Sequence, residues 1–366
     1  MPGLTKALAS GFGFYATLSE LASWFIDIPI LAVTGTDGKS TTTSLCGELL
    51  KSCGLSVFVG GNLGTPLSEL PLSGEKYDVA VVELSSFQLE AVQDFHPAAC
   101  AVTNLSFDHQ DRYPSFEHYI SAKSNVFNNF GEGDTAVLNA KDAASIRHFG
   151  KLPSRIHWFG DPTKPGAFIE GDTMHLRTEK HNLSFDLKGF QLAGAHNREN
   201  LMAATLLALT QAADAKGIAK GIEAFTGLPH RLEKVLEIDG VLFVNDSKAT
   251  SVSATATALK AMDRPIILLM GGGDKGGDFA SLKDLISSKV KMLITFGEAA
   301  QKIEAALGDA TKLVGAGPME NAVKLAKENA AGGDVVALSP GCASFDAYKN
   351  FEDRGNRFKE VVYALR

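Results

Sequence analysis

The chain has 366 residues, 45% of them hydrophobic and 21% charged, with a formal net charge of −7. That is the composition of a soluble globular protein of two or three domains, and its acidic balance excludes a general nucleic-acid or anionic-membrane surface. No apolar run spans a bilayer, the opening Met1-Pro2-Gly3-Leu4-Thr5-Lys6 lacks signal-peptide blocks, and Cys46, Cys53, Cys100 and Cys342 fit no zinc spacing, so a cytoplasmic location with reduced thiols is expected.

Residues 1–28 hold two small-residue stretches, at 7–10 and 18–25. They suffice for two short helices, or a strand and a helix, but not for a domain. The apolar run 28–33 predicts a buried strand. Thr34-Gly35-Thr36-Asp37-Gly38-Lys39-Ser40-Thr41-Thr42 follows it, and residues 40–53 predict a helix. A strand, a glycine-rich turn and a helix opening with Lys-Ser-Thr is how a nucleoside triphosphate is held. Gly35 and Gly38 let backbone N–H groups of the Thr36–Asp37 turn approach phosphates, and the helix N-terminus favours their charge. Lys39 reaches the β/γ-phosphates, while the Ser40 hydroxyl, with Thr41 beside it, suits Mg²⁺. The loop is shorter than the standard phosphate-binding pattern, with Val33 where its first glycine belongs. The plainer alternative is a glycine turn that only caps a helix.

Strand-like runs at 56–59, 79–83, 100–103 and 136–138 then alternate with helix-like runs at 86–94 and 116–130. The alternation predicts a mostly parallel sheet with helices on both faces. Glu83 ends a buried strand, at the sheet edge where α/β proteins bind ligands, and is placed to ligate Mg²⁺; the alternative is a helix start capped at Ser85. Thr103-Asn104-Leu105-Ser106-Phe107-Asp108-His109 also follows a strand, so His109 could accept a metal at the same edge. Lys123 taken alone reads as a solvated helix lysine. Short segments at 167–169, 174–177 and 183–187 predict a small antiparallel sheet. A long helix at 197–213 follows, opened by Gly194-Ala195-His196-Asn197-Arg198-Glu199-Asn200, where an asparagine could be only a cap.

Gly227-Leu228-Pro229 breaks the pattern and predicts a domain boundary. Beyond it, strands at 235–238, 241–245, 266–270, 292–296 and 335–338 alternate with helices at 253–262, 279–287, 299–306 and 319–329. This is a second, Rossmann-type unit without the G-x-G-x-x-G of a dinucleotide site. At the boundary, Arg231 can swing onto a phosphate when domains close. Asp246 can accept from a ribose, and Lys248 can neutralise charge on a transferring phosphoryl group. Thr250 could touch an amino-acid carboxylate. Lys275, inside Gly271-Gly272-Gly273-Asp274-Lys275-Gly276-Gly277, suits a free carboxylate.

From about residue 29 onward these motifs stand in the order of the Mur ligase family, which the chain resembles: ATP-dependent enzymes that join an amino acid to a carboxylate. Glu83-Leu84-Ser85-Ser86-Phe87-Gln88-Leu89 resembles the signature of the member that adds D-glutamate to UDP-N-acetylmuramoyl-L-alanine. The resemblance implies a P-loop-type ATP-binding domain at 29–227, with a parallel sheet plus a small antiparallel sheet. It also implies a Rossmann-like domain at 228–366 for the incoming amino acid. Implied cofactors are ATP and two Mg²⁺ ions, with Ser40, Glu83, His109 and Lys123 as metal ligands. Lys123 would be carbamylated, because a bare ammonium repels Mg²⁺ whereas a carbamate binds it. Catalytic roles would fall to Lys39, His109, Lys123 and Lys248. Asn197 and Asn200 would lie near the ATP base, and Arg231 and Asp246 would bind the nucleotide. Asn62, in Gly60-Gly61-Asn62-Leu63-Gly64-Thr65-Pro66, and Ser85 would contact the uridine-linked substrate. Thr250, Lys275, Ser344 and Phe351 would hold D-glutamate.

Two departures stand out. Asp37 occupies a place where most members carry Asn, adding negative charge near the phosphates. Relatives also begin with a uridine-binding domain of about a hundred residues, which here is missing or reduced to a last stretch in residues 1–28, where Pro2-Gly3-Leu4 resembles the turn near that domain's end. The rival readings are a nucleotide-binding fragment without ligase activity, a sister ligase or folylpolyglutamate synthase, and a scaffold keeping a ligase shell. A monomer without nucleic-acid or membrane partners is expected.

Overall fold

A computed structural model describes residues 17–366 except 111, 193 and 212. The predicted stretch at 7–10 and the Pro2-Gly3-Leu4 turn lie outside the described residues. The chain divides into two units, Met1–Thr226 and Gly227–Arg366.

The first unit carries one sheet of nine strands, β1 (Ile30–Thr34), β2 (Val57–Gly61), β3 (Val79–Glu83), β4 (Ala99–Val102), β5 (Thr135–Asn139), β6 (Arg155–Phe159), β7 (Gly166–Glu170), β8 (Thr173–Arg177) and β9 (Asn182–Asp186). Their order is β2-β3-β1-β4-β5-β6-β7-β8-β9. Pairing is parallel as far as β7 and antiparallel beyond it. The helices are α1 (Leu18–Ser23), α2 (Lys39–Ser52), α3 (Ser86–Leu89), α4 (Phe116–Ser124), α5 (Ala143–Phe149), α6 (Ala195–Ala208) and α7 (Ala215–Ala224). Every residue of β1 is buried because successive side chains enter different cores. Leu31 and Val33 pack with Leu45, Leu49 and Leu201, while Ile30 and Ala32 pack with Val126 and Phe127. A sheet covered on both faces reads as continuous apolar runs rather than an alternation.

The three antiparallel segments form where their alternation placed them and continue the parallel sheet through β6. The helix expected at 86–94 stops at Leu89. Beyond it, the buried carboxylate of Glu20 accepts the backbone N–H groups of Gln93, Asp94 and Phe95 at 3.1, 2.7 and 3.0 Å and holds these residues out of a helix. The helix expected at 116–130 ends at Ser124 and passes into a 3₁₀ turn, Asn125–Phe127. Asn125 there donates to the Leu89 carbonyl at 3.0 Å. β6, α5 and α7 were not expected: β6 is mostly half-buried, and α7 carries two glycines, although Asp214 caps its start and Ile218 and Ile222 form its buried face.

The second unit has β10 (Glu233–Ile238), β11 (Val241–Asn245), β12 (Ile266–Gly271), β13 (Val290–Phe296), β14 (Lys312–Gly315) and β15 (Val335–Leu338), in the order β10-β11-β15-β12-β13-β14. Only β10 runs antiparallel. Its helices are α8 (Val252–Ala261), α9 (Lys283–Lys289), α10 (Ala300–Leu307), α11 (Met319–Asn329) and α12 (Phe351–Tyr363). The helix expected at 279–287 is a 3₁₀ turn, Phe279–Leu282, followed by α9. Among the described residues no helix is long and apolar enough to cross a membrane. All four cysteines are free thiols.

Candidate active site

Three adjacent parallel strands, β3, β1 and β4, end together, with Val33 paired to Glu83 and Thr34 to Val102. The loops leaving them therefore share one sheet edge. From β1 the chain turns through Gly35–Gly38 and enters α2 at Lys39. Gly38 sits at the cap with φ +80°, a left-handed conformation. A side chain there would lie 2.3 Å from Asn200 Oδ1. Asn200 is buried and also accepts from Thr42 Oγ1 at 3.3 Å, so it buttresses the loop. Asn197, one turn earlier on α6, lies 3.5 Å from the Asn200 amide.

The loop after β4 clasps the other side. Thr103 Oγ1 and Asn104 Nδ2 donate to the Asp37 carbonyl at 2.6 and 3.1 Å, and Asn104 Oδ1 accepts the Asp37 N–H at 2.9 Å. Thr36 Oγ1 exchanges hydrogen bonds with the Ser106 backbone and meets the Tyr119 hydroxyl at 3.2 Å. Lys39 Nζ donates to the Thr36 carbonyl at 2.6 Å. Ser40 is buried and Thr41 half-buried on the first turn of α2. The sequence assigned no role to Thr103 or Asn104; their signals were the end of a strand on this edge and, for Asn104, its place in the Asn-x-x-x-Asp-His element that resembles the family's.

Lys123 is not the solvated lysine that its helix suggested. It is 2% exposed. Its Nζ donates to the Gly35 carbonyl at 2.7 Å and lies 4.7 Å from the Tyr119 ring. Burial, and then the positive charge of Lys39, bring its pKa down to about 7, against the upward pull of Asp108 and Glu83. Glu83 is also buried. Its Oε1 accepts from Asn62 Nδ2 at 2.9 Å, while Oε2 has no hydrogen-bond partner among the described residues. An orphaned, buried carboxylate oxygen is the donor that Mg²⁺ wants, so Glu83 fits the implied metal. His109 has a left-handed backbone, φ +54°. Its ring packs against Phe87 with centroids 4.7 Å apart and planes tilted by 53°, and its Nε2 lies 3.7 Å from Asp108. Among the described residues no three His, Cys, Asp or Glu side chains gather around one metal position. Ser85 caps α3 in a reciprocal box with Gln88.

In the second unit Arg231 is exposed and Asp246 buried. Asp246 accepts from the Leu232 N–H at 3.2 Å and from Ser339 Oγ at 2.8 Å. Burial outweighs these bonds and the Arg231 charge, and raises its pKa to about 7. Ionising this carboxyl therefore opposes folding. The stability it allows is complete below the ordinary carboxylate value and is lost as pH rises through about 7. Asp246→Asn keeps both hydrogen bonds, because Ser339 can accept from the new amide. The variant is expected to be more stable by up to about 4 kcal/mol at pH ~8, with the gain shrinking towards pH ~4, as urea denaturation at the two pH values would measure.

Lys248 Nζ lies 5.2 Å from the Phe351 ring. A cavity of about 430 Å³ is lined by Thr250, Ser251, Lys275, Ser281 and Gly341 among others. It brings Thr250 and Lys275 together; Ser344 and Phe351 are not in its lining. Arg354, which stands in the Asn350-Phe351-Glu352 motif and carried no assigned role from the sequence, is fully buried. Its guanidinium donates to Ser247 Oγ and to the carbonyls of Ser247, Cys342 and Ala343 at 2.8–3.2 Å. Burial lowers its pKa to about 10.

Residues 33–208 match the Mur ligase middle domain, and residues 230–342 match the Mur ligase glutamate ligase domain. The chain is 43% identical over 348 residues to a UDP-N-acetylmuramoylalanine–D-glutamate ligase of Geotalea daltonii, covering 94% of this chain and 77% of that protein. It is 46% identical over 351 residues to the enzyme of that name from Desulfatibacillum aliphaticivorans, covering 94% and 78%. Among solved structures, MurF from Acinetobacter baumannii superposes with a TM-score of 0.68 at 20% identity, over 95% of this chain and 79% of that one. The Thermotoga maritima MurF ligase in complex with ADP gives 0.64 at 17% identity, over 95% and 84%. Two matched domains that together take in most of the sequence, and relatives above 40% identity, place this chain in the Mur ligase family.

Proposed function

We propose that this chain joins D-glutamate to UDP-N-acetylmuramoyl-L-alanine at the expense of ATP, in peptidoglycan precursor synthesis. The observation that carries the reading is the buried set behind the phosphate loop, in which Lys123 and the half-satisfied Glu83 share one sheet edge with Lys39. The names of relatives at 43–46% identity support the same substrates.

The chemistry follows from the parts. A carboxylate is a poor acyl donor because its leaving group would be oxide. Transfer of the ATP γ-phosphoryl group makes an acyl phosphate, the D-glutamate amine attacks its carbonyl carbon, and phosphate departs with the former carboxylate oxygen. Lys39 and the N-terminus of α2 stabilise charge on the transferring group. Residues 29–227 form the ATP-binding domain and 228–366 the domain for the amino acid. Lys123, whose pKa burial brings down to about 7, adds CO₂ through its neutral amine, and the new carbamic acid loses a proton. The resulting carbamate, Glu83, Ser40 and His109 would hold Mg²⁺, which supplies charge neutralisation at the phosphoryl oxygens. Arg231, Asp246 and Lys248 serve the nucleotide, Asn197 sits near its base, and Thr250 and Lys275 take the D-glutamate carboxylates.

Phosphate release by the purified chain, with ATP, Mg²⁺ and UDP-N-acetylmuramoyl-L-alanine, tests this. Release that depends on D-glutamate, and slows when dissolved CO₂ is stripped, is the expected result. ATP binding without release would favour a nucleotide-binding fragment. Release driven by another amino acid would favour a sister ligase.

A further inference from the structure

We infer that Asn62 is a positioning residue for Glu83, holding one carboxylate oxygen so that the other is presented to a divalent cation. The inference rests on the proposed metal role of Glu83. Family resemblance assigns Asn62 to the uridine-linked substrate; the hydrogen bonds give it a different task.

Sheet register is the origin. β2 lies beside β3 in parallel, and Gly61 pairs with Glu83. The turn that follows folds back onto the end of β3, with the Gly61 N–H bonded to the Thr65 carbonyl and the Asn62 N–H bonded to the Glu83 carbonyl, both at 2.8 Å. Gly61 permits this approach: its φ is +98°, and a side chain there would lie 2.3 Å from the Glu83 carbonyl oxygen. Asn62 is thereby fixed at its backbone directly over the carboxylate. It is exposed while Glu83 is 3% exposed, so it is a cover whose inner face is the amide.

The terminal torsion of a glutamate is soft and nearly two-fold. Left alone, the two oxygens of Glu83 would exchange places and the carboxylate plane would swing. The 2.9 Å bond from Asn62 Nδ2 to Oε1 removes that freedom and leaves Oε2 as the single unsatisfied oxygen. Residues that orient a metal ligand typically change metal affinity 10–100-fold when removed.

The test is a Mn²⁺ titration of the full chain with a non-hydrolysable ATP analogue, free Mn²⁺ being read by electron paramagnetic resonance. The KM for UDP-N-acetylmuramoyl-L-alanine is measured in parallel. Asn62→Ala, and Asn62→Leu as a variant of similar size, retain the backbone bonds of the turn, and thermal melts check their folding. Both are expected to bind Mn²⁺ about 10–100-fold more weakly with an unchanged KM. Glu83→Gln is the control and is expected to lose the same binding. If Glu83→Gln weakens Mn²⁺ binding but both Asn62 variants bind as wild type, the positioning role is overturned while the metal role stands. A raised KM with intact Mn²⁺ binding would likewise overturn it, in favour of direct substrate contact. If Glu83→Gln binds Mn²⁺ normally, the metal role itself fails and takes the inference with it.

Discussion

Lys39→Ala is expected to lower turnover about a thousandfold, measured as D-glutamate-dependent phosphate release, with little change in thermal stability. Lys39 opens α2, and its Nζ lies 2.6 Å from the Thr36 carbonyl, so the side chain arches over the turn where phosphates would lie. Removing one preorganised group aimed at developing charge typically lowers kcat by about 10²–10³. A thousandfold corresponds to about 4 kcal/mol of barrier. Alanine is the best helix former, and the clasp of Thr103 and Asn104 on Asp37 does not involve Lys39, so the loop should keep its shape. Lys39→Arg is expected to rescue little, because a planar guanidinium does not replace a compact ammonium. A variant within tenfold of wild type would refute the phosphate-loop assignment.

Arg354→Leu is expected to destabilise the second unit by about 3–5 kcal/mol, on the scale of breaking a buried charged network. The guanidinium sits at the start of α12 and ties the Ser247 segment after β11 to the Cys342–Ala343 segment after β15. Deleting it takes the guanidinium donor from the buried Ser247 and Cys342 carbonyls, at about 1–3 kcal/mol each where water cannot enter, while the Ala343 carbonyl keeps the Gly273 N–H at 3.0 Å. Lysine brings one point charge to a site built for a fork and should recover less than half of the loss. Urea denaturation followed by far-UV circular dichroism gives the number. A loss under 1 kcal/mol would mean that the two segments hold together without it. Ser247 lies between Asp246 and Lys248, which are proposed to serve the nucleotide, so the variant should also bind nucleotide less well.

Much of the site could be read along the chain because its determinants are local. Val33 through Ser40 combine a buried strand, a turn that needs glycine at 38, and a helix start, all within one contiguous stretch. Glu83 was found in the same way, as an acid at the end of an apolar run. The alternation of strands and helices defined two α/β units because each period reflects burial on one or two faces.

What remained hidden depends on strand order. The placement of β1 between β3 and β4 brings Thr103 and Asn104 onto Asp37 and Lys123 behind Gly35. No helix periodicity marks Lys123 as buried, and its lowered pKa arises from that burial and from the charge of Lys39, a residue distant in the chain. Glu20 reaches across more than seventy residues to hold Gln93 and Asp94 in a non-helical turn where a helix was expected. Asn62 meets Glu83 only because β2 is the strand beside β3. The sequence by itself determined which residue types are available at each loop and how each loop is punctuated. Tertiary structure decided which of those side chains share a desolvated space, since burial and hydrogen bonding are properties of neighbours that topology selects.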